Sequence, residues 1–371
     1  MQITTDKVIA IAAISAVASS AITASLFLVA SQSIPVKTGP GSASLSGIAA
    51  SAGTVHRILL IAAEKTAQVA PDNGLYPGGL WYNEMVFNGT VPGPLIESNQ
   101  GDTIQITLKN EGKLVHSLNF HAGFGPSQAL SGVVNPGQNR TWSVTTKYPG
   151  AYLYHCDGDN LNGIWEHIAD GMYGGIVVHS SKWRSSHEFY VAFSELYDTA
   201  GHPPLSGNQT ASATNASGNS AGDFDIGKFV SRKPDLVLTN GLAFRYIPQI
   251  GETAKITLNS NAEVFHVKAG EPTRWFLFNA GPRNGIAFNF GAGLIREEVP
   301  TATEDNSSGI AASNGSQITS DGTRGYSSVS YLPPGAGAVF DTVFPEPGVY
   351  FGNDHDVGSI LYGAGFEVIA S

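Results

Sequence analysis

One spacing is written into this chain twice. Pro136-Gly137 precedes Pro149-Gly150-Ala151-Tyr152 by thirteen residues, and Pro334-Gly335 precedes Pro347-Gly348-Val349-Tyr350 by the same thirteen. A second cue repeats with it: the run from Gly101-Asp102 to Asn110 matches the run from Gly270-Glu271 to Asn279. Two cues at matched spacing describe a duplicated unit. The copies read as strands. Ile104, Ile106 and Leu108 alternate with Gln105, Thr107 and Lys109, and His187 to Glu195 alternates in the same way, the period of a strand with one face inward. Short apolar runs are punctuated by 44 Gly and 20 Pro, and only 13% of residues are charged, which favours antiparallel sheets over helices. A length of 371 residues accommodates two domains. The expectation is an all-β chain of two tandem domains, residues 54–182 and 186–371, with Ile58 to Ala63 as a buried strand. Solvated Ser/Asn/Gly-rich insertions are expected near 205–222 and 302–323, because neither stretch has the apolar content to build a core.

Ahead of the repeats, Val8 to Ala30 carries no charge and follows Lys7. It is long enough to span a bilayer and reads as an export signal or an uncleaved anchor within residues 1–36. Residues 37–53 read as a flexible linker. Six Asn-x-Ser/Thr sequons follow, at Asn88, Asn139, Asn208, Asn215, Asn306 and Asn314, as in an exported glycoprotein. The net charge of -10 argues against nucleic acid and against anionic membrane surfaces as partners.

The chain has one cysteine, so it forms no internal disulfide. That cysteine stands in Tyr154-His155-Cys156-Asp157, with His167 eleven residues on and Met172 after it. A lone Cys is usually a small buried hydrophobe. Here, however, soft and borderline ligands bracket one Gly-containing loop, and they suit a trigonal copper site of two His, one thiolate and a long axial Met. His116 is the candidate for the second His. The residues before Cys156 form an alternating strand, so His155 and Cys156 point to opposite faces. His155 is then free to hold a second metal, and one covalent step would join the two sites. His116 and His121, five apart in His116-Ser117-Leu118-Asn119-Phe120-His121, would serve one site each. In the second copy the position of Cys156 is Asp354, so that copy lacks a thiolate, and its one nearby imidazole is His355. His56, His179, His187 and His202 read as domain-edge or loop residues, and His266 precedes a turn.

From Phe87 to the C-terminus, roughly three quarters of the chain, these motifs resemble the copper-containing nitrite reductases and their two-domain multicopper relatives, with the branch of ammonia-oxidising archaea looking closest. The resemblance rests on Val86 to Ile96, on Gly101 to Asn110, and on the His and Cys residues just named. It implies two plastocyanin-like (cupredoxin) Greek-key sandwiches. His116, Cys156, His167 and Met172 would be the type 1 copper ligands. His121 and His155 would be two type 2 copper ligands, with His355 of a neighbouring subunit in a homotrimer as the third. It further implies a small substrate such as nitrite or a related nitrogen compound, and an external electron donor such as a small blue copper protein. A trinuclear cluster is excluded, because the chain has no His-x-His and Cys156 is followed by Asp157.

Two positions depart from the family's pattern. The proton-relaying Asp three residues after the first type 1 His is Asn119 here. The His expected after the Asn279-Ala280-Gly281-Pro282 turn is replaced by Asn289. Asn forms hydrogen bonds but does not exchange a proton near neutral pH. The sequence therefore supports three readings: a nitrite-reductase-like enzyme, a two-copper oxidase acting on another substrate such as hydroxylamine or a laccase-type donor, and a non-catalytic copper electron carrier.

Overall fold

A computed structural model describes residues 53–371, apart from 73–75, 77, 124–131, 160–161, 201–220, 248, 251–255, 258–262, 291–294, 299–322, 328 and 357. The expected signal or anchor, the linker, most of both insertions and the sequons at Asn208, Asn215, Asn306 and Asn314 lie outside those residues. Among the described residues no helix is long and apolar enough to cross a membrane.

The first copy folds as two four-stranded sheets. One is ordered Leu80–Phe87, Val55–Ala70, Thr103–Asn110, Asn139–Thr145, and the other Ile96–Asn99, Tyr173–His179, Gly150–His155, Asn119–Phe120. Alternation builds the core between them. Ile104, Ile106 and Leu108 are buried with Leu60, Ala62, Trp142 and Phe120, and Cys156 and Met172 belong to the same cluster. The first strand departs from expectation. It runs from Val55 to Ala70, and Leu59 is 52% exposed while Leu60 is fully buried. An apolar run therefore contributes one face to the core rather than two, because the strand lies in a sheet packed on one side only.

The second copy repeats the plan with a six-stranded sheet and a five-stranded one. Phe193, Trp275, Phe288, Phe340 and Phe366 fill its core, with Trp275 and Phe366 stacked at 5.4 Å between ring centres. The duplication extends to individual hydrogen bonds. Asn110 donates to the carbonyls of Leu114 and Val134 and accepts from the N–H of Gly112. Asn279 donates to those of Asn284 and Leu332 and accepts from Gly281. Each of these buried amides closes the loop that follows its strand, a use that leaves no polar atom unpaired. The insertions join this frame at their ends: Gly222 bridges to Tyr82, and Thr323 opens a strand.

The two sandwiches meet along an apolar seam. Ala151, Leu153, Tyr173 and Val177 of the first pack against Phe276, Phe278, Ala280 and Val339 of the second. The approach is close enough that a side chain at Gly337 would meet the Ala151 carbonyl oxygen at 2.3 Å, so glycine there is a packing requirement.

Candidate metal centres

His155 closes the strand Gly150–His155, and Cys156 follows it directly. The two residues face different surroundings. Cys156 is fully buried in the core of the first sandwich. His155 lines a cavity of about 170 Å³ at the seam, together with Leu153, Ile168, Tyr173 and, from the second sandwich, Ala280, Pro282, Pro334 and Gly335.

On the Cys156 side three donor atoms converge. The sulfur lies 3.2 Å from His167 Nδ1 and 3.8 Å from His116 Nδ1, and the two Nδ1 atoms are 3.3 Å apart. A point equidistant from three atoms so spaced is about 2.0 Å from each, close to the length of a metal–imidazole bond. His167 is carried not by the open loop expected between it and Cys156 but by a short helix, Ile164–Ala169. The loop ends are tied by backbone: Cys156 N–H donates to the Met172 carbonyl and Met172 N–H to that of His167. Met172 is fully buried in the same cluster as Cys156.

Electrostatics prepares these groups. Burial pushes the Cys156 thiol up to about 11, although the N–H groups of Ser117 and Gly158, both aimed at the sulfur, favour the thiolate. Burial, then the neighbouring His116, brings His167 down to about 4. Burial also lowers His116, against the pull of Glu64. The imidazoles are thus neutral at neutral pH and available as ligands. The thiol binds a cation by giving up its proton.

On the other face, His121 Nε2 and His155 Nε2 lie 3.0 Å apart. His121 Nδ1 donates to the carbonyl of Gly335, at 3.0 Å. His155 Nδ1 faces the Cys156 carbonyl at 3.2 Å and the Asp157 carboxylate at 3.3 Å. Carbonyls and carboxylates accept only, so both protons sit on Nδ1 and both Nε2 lone pairs point at each other. Facing lone pairs at that distance repel unless a cation lies between them. The donor set of each face therefore fits a metal ion. Burial, then the proximity of His155, lowers His121, which keeps it neutral.

The remaining expected residues are placed as follows. Asn119 donates from Nδ2 to Asp157 at 2.9 Å, so it sits beside the His121/His155 pair. Asn289 is buried next to Asn353 in the facing strand, and its Oδ1 has no hydrogen-bond partner among the described residues. His355 is exposed, its N–H donating to the Ala287 carbonyl at 2.7 Å. Within one chain it does not close up with His121 and His155 in the way that His116, Cys156 and His167 close up. Asp354 is buried and accepts hydrogen bonds from Ala287, Asp356 and Ser359. His266 lies in the strand Phe265–Val267, just before the turn at 269–270. His179 sits at a strand end beside Glu97 and Glu188.

Two participants escaped the sequence reading. Glu64 holds His116 Nε2 at 3.1 Å, and the Gly335 carbonyl holds His121. Neither has a local signal. One reaches across 52 residues, the other across 214.

Known proteins resemble this chain in sequence and in fold. Residues 69–182 match the multicopper oxidase family model. A copper-containing nitrite reductase of Neisseria gonorrhoeae is 27% identical over 75% of this chain and 60% of its own length. One of Alcaligenes faecalis is 37% identical over 27% of each chain. This chain thus spans about 60% of the length of the Neisseria relative. Among solved structures, the copper nitrite reductase of Nitrosomonas europaea superposes with a TM-score of 0.65 at 22% identity, covering 86% of this chain and 94% of that one. A multicopper oxidase superposes at 0.61 and 20% identity, covering 85% and 89%. These likenesses establish a cupredoxin-like fold. Residues 69–182 match the multicopper oxidase model, and the chain is similar in sequence to copper-containing nitrite reductases.

Proposed function

We propose that this protein is a copper oxidoreductase that reduces nitrite to nitric oxide. The observation that carries the reading is the pairing of two donor sets across one peptide bond, His116/Cys156/His167 on one face and His121/His155 on the other. The names of the sequence relatives support it. His116, Cys156 and His167, with Met172, would hold a type 1 copper, and His121 and His155 a type 2 copper. Bound copper supplies one-electron redox chemistry at both centres, as in two-site electron transfer. Cys156 and His155 give the shortest covalent route between them. Nitrite reduction consumes one electron and two protons and yields nitric oxide and water. Asp157 and the Cys156 carbonyl keep the proton on His155 Nδ1 and so aim its Nε2 outward, while Gly335 does the same for His121.

A third ligand is proposed from a neighbouring copy. His355 follows the strand Gly348–Asp354, whose Val349 and Phe351 are 53% and 38% exposed, and Tyr331 nearby is 58% exposed. Exposed apolar side chains on the strand that leads to an exposed histidine suit a subunit interface, and a homotrimer with three shared sites is the proposed assembly. The uncharged segment 8–30 and the sequons support export, with that segment as signal or anchor. A small blue copper protein is the proposed donor.

Anaerobic mixing tests the reading. Copper-loaded protein is reduced until its visible thiolate band bleaches, and nitrite is then added. Return of the band with nitric oxide release is expected; a band that stays bleached sinks the proposal. One observation favours a second substrate, such as hydroxylamine: Asn119 is committed to Asp157, and position 289 offers no titratable group. Under that reading the pair Asn119→Asp and Asn289→His raises nitrite turnover by about 10² or more, and a flat response refutes it.

A further inference from the structure

We propose that Glu64 is a positioning residue that fixes the orientation of His116 and lowers the reduction potential of the centre at Cys156. The inference rests on the copper reading of that centre. Glu64 comes from the first strand, far in sequence from every residue of the His/Cys/Met pattern, and no part of the metal-ligand motif contains it.

Its carboxylate is held in place rather than loosely apposed. It accepts from the N–H of Lys113 at 2.9 Å and of Leu114 at 3.1 Å, the turn just before His116. It then accepts from His116 Nε2 at 3.1 Å. The carboxylate lies against Gly112, where a Cβ would meet Glu64 Oε1 at 2.4 Å. The cradle therefore exists because residue 112 has no side chain. His116 itself is fully buried, and Glu64 keeps only 27% of its side-chain surface.

Three consequences follow from elementary chemistry. A carboxylate accepts only, so the proton of neutral His116 is on Nε2 and the lone pair is on Nδ1, the atom that faces Cys156. The ring is locked, because rotating it would give up that bond. The negative charge also polarises the imidazole and makes Nδ1 a stronger donor. A stronger donor and a nearby negative charge favour a divalent ion over a monovalent one. Removing the charge should therefore raise the potential.

The test uses the full chain loaded with copper. In Glu64→Gln the shape and one acceptor remain and the charge goes. The visible band should persist, while the ratio of Cu(II) to Cu(I) affinity falls at least tenfold, which is 59 mV for one electron. Gly112→Ala keeps the charge but pushes the carboxylate away, and should shift the potential in the same direction. Glu64→Ala should also weaken Cu(II) binding by about 10- to 100-fold. A purely structural Glu64 would lower the unfolding midpoint and leave the potential of Glu64→Gln and Gly112→Ala at the wild-type value, and that result overturns the proposal. An unchanged protein that takes up copper without a thiolate band overturns the copper reading and this inference together. A normal wild-type band with unmoved variants overturns this inference alone.

Discussion

The loops that follow Gly150–His155 and Gly348–Asp354 are the same construction with different anchors. In the first, the sulfur of Cys156 receives the N–H groups of Ser117 and of Gly158, two residues on. In the second, Oδ1 of Asp354 receives those of Ala287 and of Asp356, again two residues on. Ser359 adds a third bond to the other oxygen. The Asn110 and Asn279 clamps beside them match bond for bond. The fold thus asks for an acceptor at this position and does not ask for a metal. What would make one loop a metal centre is what surrounds the acceptor. Cys156 has two imidazoles within 3.8 Å. Asp354 has hydrogen-bond donors on both oxygens and, among the described residues, joins no ligand cluster.

The largest effect that tests this contrast is Cys156→Asp. A carboxylate should satisfy the same N–H groups and preserve the fold, yet, on the proposed function, abolish the visible band and bring nitrite turnover to background. Absorption spectra, metal analysis and circular dichroism read all three. A variant that keeps a blue band would show that the thiolate is not the distinguishing feature.

Next in size is Asp354→Ala. It leaves two N–H groups and a hydroxyl without their acceptor in a buried site, a loss of about 3 kcal/mol. Urea unfolding should show it, while the thiolate band stays where it was. If the band shifts instead, the two loops are coupled and the comparison of independent copies fails.

The smallest effect separates Asp102 from its counterpart Glu271. The hydrogen bond from His56, with further bonds from Asn99 and Thr54, holds the Asp102 carboxyl down to about 2 although burial opposes it. An unfolded Asp titrates near 3.9. The stabilisation is therefore complete above about pH 4 and is lost as pH falls through about 2, a change of about 1 kcal/mol once screening by nearby solvent is allowed for. Glu271 is exposed and pairs with Lys268 on the surface. Acid unfolding should move with Asp102→Asn and not with Glu271→Gln.

These contrasts show how the sequence encodes the protein. The convergence of His116 and His167 on Cys156 was legible because Cys156, His167 and Met172 lie close together in sequence and His116 stands in one short run with His121. The duplication was legible because Pro-Gly turns punctuate both copies. Glu64 was not, since a carboxylate in an alternating strand looks like any solvated position until the strand is paired and Gly112 is seen beneath it. The extent of the first strand was misread for a related reason. Ile58 to Ala63 is apolar throughout, and composition alone does not show that Leu59 lies on the uncovered face. His355 stood out in sequence, but among the described residues of one chain it joins no cluster of ligand groups.

The carbonyl of Gly335 belongs to the second sandwich, and the imidazole it steadies belongs to the first. The ring of His121 is consequently a gauge of how the two halves are seated. A displacement along the seam of a fraction of an ångström lengthens that bond and frees the ring to turn, whereas the triangle around Cys156 lies wholly inside one half and does not register it. Under mild loosening by denaturant or heat the two donor sets should fall out of step, the pair at His121 losing its alignment while the triangle at Cys156 still reports an intact first half.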